Sequence, residues 1–249
     1  MRRPAVALAV IALLGGCDSG SPTAPDASTT AKRLTITGDT QFTGLNHVHA
    51  FAATVEMADG SQRDVTADAV WQSSNARVVA TSATGVATSI GFGVATVTAS
   101  YQAIGGSLGV SVSLGPGRYR LGIIAATTCT SLPSWARHRE YNASLDETGS
   151  RRLGIELSPG HTTNFPTVST THLSFEFPVV RRDAYGDFVG PTSLASSQDG
   201  DLAVTGMASA ALNGPTIAGR LVGTIKAWDQ LSRASACESG DHQFTLEPR

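Results

Sequence analysis

The side chains best suited to chemistry gather in the second half of the chain. Arg137, His138, Arg139, Glu140 and Tyr141 are consecutive, and His161, Glu176 and His242 lie further on. On a strand, Arg137 and Arg139 share parity with Tyr141, while His242 shares parity with Phe244 and Leu246. Arg137, Arg139, Tyr141 and His242 are therefore the candidate ligand-binding set. Two cations at the mouth of an apolar lumen would suit an anionic or amphipathic ligand. The plainer account is favoured: the arginines pair with surface acids, and His242 is a satisfied core histidine. No catalytic residue is assigned. The sequence has no Gly-x-Ser-x-Gly elbow, no His-Glu-x-x-His helix and no phosphate-binding glycine loop. His47 and His49 stand two apart and could face one side of a strand. No neighbouring acid or cysteine supplies a third ligand, so neither a metal nor a cofactor is expected.

The elements that must position these residues are strands. The chain has 249 residues, 15% charged and 6% aromatic, with 26 glycines. Ser and Thr are plentiful, which is a composition of short strands and turns. The formal net charge of −2 lacks the basic footprint of a nucleic-acid binder.

Residues 1–17 read MRRPAVALAVIALLGGC. Arg2 and Arg3 form a positive start, and Ala5 to Leu14 an apolar run too short to span a bilayer as a helix. Leu14-Gly15-Gly16-Cys17 resembles the bacterial lipoprotein lipobox. The resemblance implies removal of residues 1–16, lipidation of the Cys17 sulfur and acylation of the new N-terminus. The partner implied is a membrane, reached through a lipid anchor, and the location is the bacterial cell envelope at the inner or the outer membrane. Cleavage would remove two of the 18 basic residues and none of the 20 acids, leaving a net of −4. Residues 17–32 then form a tether rich in Ser, Thr, Pro and Asp, able to reach about 50 Å when extended. An exported chain meets an oxidising compartment, so the two remaining cysteines, Cys129 and Cys237, are expected to pair.

Residues 33–113 alternate with period two. Phe51, Ala53, Val55 and Met57 oppose Ala52, Thr54 and Glu56, and Ala95, Val97 and Ala99 oppose Thr96 and Thr98. Asp59-Gly60-Ser61, Asp64-Val65-Thr66, Trp71 before Ser73-Ser74-Asn75, Val78-Val79, Gly85, Gly91 and the run Gly93 to Ala99 resemble the bacterial immunoglobulin-like domain of group 2, seen in intimin- and invasin-type proteins. Leu45-Asn46-His47 departs from the usual Gly-Gln-Thr. The resemblance implies a β-sandwich that serves as a spacer or adhesive module, with Trp71 in its core. His49 reads as a cap on the end of that sandwich.

Leu114-Gly115-Pro116-Gly117 breaks the alternation and reads as a hinge. Residues 118–249 again alternate: Tyr119, Leu121 and Ile123; Tyr141, Ala143 and Leu145; Leu153, Ile155 and Leu157; Leu173, Phe175 and Phe177; Leu202 and Val204; Ile217, Leu221 and Ile225; Phe244 and Leu246. A weaker strand falls near 187–196. The chain is thus all-β, and this part is an antiparallel β-barrel or, alternatively, a second β-sandwich. Gly206, Gly219 and Gly223 would permit its bends. Only the architecture is similar to small lipocalin- or avidin-like barrels. Pairing Cys129 with Cys237 would tie the loop after the first strand to the loop before the last.

The function expected is a membrane-anchored envelope lipoprotein, a non-catalytic binding, adhesion or structural module meeting an envelope component, a glycan or a small amphipathic ligand. The alternative is an envelope hydrolase with its site in the 137–141 cluster and His161 or His242.

Overall fold

The structure, a computed structural model, describes residues 30–148, 152–157, 161–162, 167–177, 181–182, 188–189, 195–197, 200–229, 231 and 233–249. The leader, Cys17 and the tether up to residue 29 lie outside the described residues. Among those described, the chain is strands with a single turn of helix.

Ten strands build the first region: β1 (Ala31–Thr37), β2 (Gln41–Thr43), β3 (Val48–Ala50), β4 (Ala52–Met57), β5 (Gln62–Asp64), β6 (Val70–Ser73), β7 (Val79–Thr81), β8 (Val86–Ser89), β9 (Gly93–Tyr101) and β10 (Ile104–Ser113). They form three sheets, β1-β4-β5, β2-β10-β9-β6 and β3-β8-β7. The expected alternation holds. Ala53, Val55 and Met57 of β4 are buried, as are Ala95, Val97 and Ala99 of β9, with Val110 and Val112 of β10. Period-two side chains leave one face for the core and one for water.

Trp71 lies in that core beside Phe51, ring centroids 6.5 Å apart. Its indole N–H, which could not be buried unpaired without cost, donates to the Thr66 carbonyl at 2.9 Å. Gly85 has φ +76°, and a Cβ there would meet Phe51 O at 2.7 Å and the Trp71 ring at 2.9 Å. Only glycine fits this turn.

The chain enters this region at one end and leaves at the other. Ala31 N–H donates to Gln102 Oε1 at 3.3 Å, beside the β9–β10 turn. Ser113, at the far end of the ten-residue β10, lies at the opposite end.

The second region comprises β11 (Gly117–Ile124), α1 (Ser134–Arg137), β12 (His138–Thr148), β13 (Arg152–Leu157), β14 (His161–Thr162), β15 (Thr167–Val168), β16 (His172–Phe177), β17 (Arg181–Arg182), β18 (Phe188–Val189), β19 (Ala195–Ser197), β20 (Gly200–Ala211), β21 (Ile217–Trp228) and β22 (Ala234–Pro248). One antiparallel sheet runs β14-β13-β12-β11-β22-β21-β20-β16-β15, with β19 beside β20. It curls into a half-barrel. Phe175 of β16 and Phe244 of β22 are separated by two strands, yet their rings meet edge-on at 5.2 Å.

The inner face is packed rather than hollow where it is described. Leu121, Leu145, Leu173, Phe175, Leu221, Ile225, Phe244 and Leu246 are all at most 2% exposed. Gly206 and Gly223 face each other across β20 and β21, and a Cβ on either would strike the other strand's backbone. The bend assigned to these glycines is therefore a close backbone approach.

Leu114 to Gly117 is clamped, which differs from the free hinge its Gly and Pro suggest. Leu114 is buried, and the Tyr119 hydroxyl donates to Gly115 O at 2.7 Å. Phe92 and Gly214 exchange both backbone hydrogen bonds, at 2.8 and 2.9 Å, and Asn75 Nδ2 donates to Asn213 Oδ1 at 2.7 Å. One continuous apolar core crosses the boundary.

Candidate functional site

The predicted ligand set gathers at one end of the half-barrel, where the chain's own backbone engages Arg137 and His242. Arg137 is the last residue of α1, so strand parity does not apply to it. Its Nε and an Nη donate to Leu132 O and Thr130 O, both at 2.8 Å, which folds the guanidinium onto its own loop. Arg139 lies over the Trp135 ring, 5.6 Å from the centroid. Tyr141 is buried, its hydroxyl without a hydrogen bond of normal geometry among the described residues. Burial pushes that phenol up to about 12, against the opposing pull of the Arg139 charge.

His242 stands two strands away and is fully buried. Its Nδ1 accepts from Ala126 N–H at 3.0 Å, so the neutral ring carries its proton on Nε2. Among the described residues that Nε2–H has no partner of hydrogen-bonding geometry, and burial holds the imidazole below its ordinary value of 6.5. His242 points inward in parity with Phe244 and Leu246, and β22 carries an extra residue just before it. Leu221 pairs with His242 and Gly223 with Ser239, so Gly240 and Asp241 both stand opposite Val222.

These groups close one end of the half-barrel. The loop from Ala125 to Arg137 folds over it and is bound to β22 by the Cys129–Cys237 disulfide, Cα atoms 5.5 Å apart. Ser131 Oγ adds a bond to Ala236 O at 3.2 Å. Glu140 faces the other way, toward Arg120 at 3.5 Å, and Glu176 and His138 are exposed. The side chain of His161 lies outside the described residues. His49 stacks on Phe42 at 4.1 Å, with Nδ1 3.1 Å from Asp39 O. Among the described residues no three His, Cys, Asp or Glu side chains gather as a metal site.

A different site lies at the boundary of the two regions. A cleft of about 480 Å³ is walled by residues 43–47 on one side and by Arg118, Tyr119, Pro248 and Arg249 on the other. Gly115, Pro116, Gly117 and Phe92 complete it. The 43–47 loop takes left-handed backbone at two positions and is braced. Gly44 has φ +91° and Asn46 has φ +63°. The buried Ser89 hydroxyl donates to Gly44 O at 3.0 Å and accepts from His47 N–H at 3.0 Å. Arg249 N–H donates to Arg118 O at 2.9 Å, which sets the two arginines side by side. Sequence reading misses this site because it is assembled from four distant segments. The signal that points to it is the Gly-Pro-Gly boundary, since clefts form preferentially where domains meet.

No family profile matches the sequence, and no curated protein matches it. Among solved structures the chain is similar to the S-layer protein SbsC. A crystal structure of that protein is 13% identical with a TM-score of 0.30, covering 85% of this chain and 41% of that one. A structure of its domains 1–6 gives 13% identity and a TM-score of 0.31 with the same coverage. The chain thus spans less than half of those proteins.

Proposed function

We propose that this chain is a membrane-anchored lipoprotein of the bacterial cell envelope, acting as a non-catalytic binding or structural module. Cys17 is its lipidated N-terminus. Residues 33–113 are an immunoglobulin-like sandwich of bacterial group 2 that serves as a spacer, and residues 118–249 are a barrel-like head. The observation that carries this reading is the position of the chain ends of the first region. The tether joins beside Gln102, at the end opposite Ser113, so a lipid on Cys17 would hold the second region outermost. A further support is the use made of the residues that a hydrolase would need. Arg137 and His242 bind their own backbone at the closed end.

The test is mass spectrometry of the N-terminal peptide from detergent-extracted protein. Cys17 should be the first residue and should carry a diacylglyceryl thioether. The Cys17→Ser protein should leave the detergent phase for the aqueous one. A Cys17→Ser chain that is cleaved yet still partitions into detergent overturns the anchor.

A further inference from the structure

The cleft between the regions has the marks of a ligand site. Arg118 is exposed and makes no ion pair or side-chain hydrogen bond among the described residues. Arg249 lies beside it and His47 lines the same space, and among the described residues no Asp or Glu side chain does. Other arginines of this region are treated differently: Arg120 of β11 has Glu140, and Arg137 of α1 has two carbonyls.

Gly117 adds a separate argument. It opens β11 with a φ that any residue could adopt, and an added Cβ would touch nothing nearer than Tyr119 at 3.8 Å. Glycine in a strand costs about 0.5–1 kcal/mol against alanine. Neither backbone geometry nor crowding within the chain requires it. What it does is keep the cleft wall open next to Arg118. The opposite wall holds a non-glycine residue, Asn46, in the left-handed region, braced from beneath by Ser89. Strain kept in place by a buried hydrogen bond clusters at ligand clamps.

We propose that this cleft binds a compact anionic ligand, a phosphate- or carboxylate-bearing sugar-sized molecule, through Arg118, Arg249 and His47. A guanidinium fork takes either anion in bidentate geometry. A cleft of this volume lies within the usual range for small-molecule sites, about 300–1,000 Å³. Pro116 and Pro248 give the ligand body apolar contact. The inference supplies a ligand class for the binding module proposed above and rests on that part of it. It does not depend on the anchor, because the described lining of the cleft begins at Thr43.

Calorimetric titration of the full chain at low salt provides the test, with glucose 6-phosphate, glucuronate and glucose as probes. Glucose 6-phosphate, glucuronate or both should bind, and glucose should not. Binding of one charged probe alone assigns the anion as phosphate or carboxylate. Arg118→Gln should weaken binding at least tenfold, and Gly117→Val should abolish it by filling the wall. Arg120→Gln, two residues along the same strand, should leave it unchanged. Retained binding in Arg118→Gln, equal binding of glucose, or no binding by any probe overturns the proposal. The lipid on Cys17 is read in a separate experiment, so either result can fail alone.

Discussion

The two ends of the half-barrel carry the same kinds of side chain and put them to opposite uses. At the closed end, Arg137 fills its guanidinium fork with Leu132 O and Thr130 O, and His242 accepts from Ala126 N–H. At the junction end, Arg118 and Arg249 face a cleft that no described Asp or Glu side chain lines. The lesson is that an arginine or histidine near a barrel end is informative only once its hydrogen bonds are traced. A fork satisfied by the chain's own carbonyls holds a loop. A fork left open is available to something else.

The largest expected effect tests whether the closed end is a structural lock. Cys129 and Cys237 are 108 residues apart, and cross-linking so long a loop is worth about 4–5 kcal/mol on the chain-entropy account. Reduction, or the double change Cys129→Ala with Cys237→Ala, should lower the melting temperature strongly. Unchanged melting would mean the loop over this end needs no lock, and the contrast between the ends would fail.

A smaller effect comes from His242. Burial lowers its folded value below the 6.5 of an exposed imidazole. The unfolded chain therefore takes up a proton first as pH falls. Stability is complete above pH 6.5 and declines below it, by at most about 1.4 kcal/mol per pH unit, until the folded ring also protonates. Protonating Nδ1 would also break the bond from Ala126 N–H. Denaturant midpoints measured between about pH 7.5 and 5, a window that brackets the imidazole titration, should fall, and His242→Gln should flatten the curve. An identical slope in the variant would remove His242 as the cause.

The smallest effect sharpens the comparison most. Arg137→Ala should cost about 1–2 kcal/mol, because two carbonyls lose charged donors. Arg118→Ala should stay within about 0.5 kcal/mol of the parent, as for a surface residue with no partner. Urea unfolding of the two variants compares them directly. Equal losses would show that Arg118 is structural too.

How much of this is legible depends on the range of the signal. Alternation in Ala53-Val55-Met57, in Ala95-Val97-Ala99 and in Leu173-Phe175-Phe177 is local, and those faces are buried as expected. The Cys129–Cys237 pair and the burial of Trp71 also follow from short patterns and compartment chemistry. Strand parity misplaces Arg137 because it does not carry across a break. Pro133 begins a helical turn, and the strand starts only at His138. The hinge differs from expectation for another reason. The Phe92–Gly214 bridge that clamps it joins residues more than a hundred positions apart, and nothing local announces it. The cleft is hidden in the same way.

The opposed ends of the first region also decide how the molecule would carry a mechanical load. If the N-terminus is held and the second region is pulled, tension runs lengthwise along β1 and out through β10. The six residue pairs joining β1 to β4, from Ala31–Met57 to Thr37–Ala52, lie across that line. Antiparallel hydrogen bonds run perpendicular to their strands, so this tension shears them together rather than peeling them one by one. Forced unfolding is governed by the rate of crossing that barrier rather than by equilibrium stability. A region of modest thermal stability built in this direction can still act as a stiff strut.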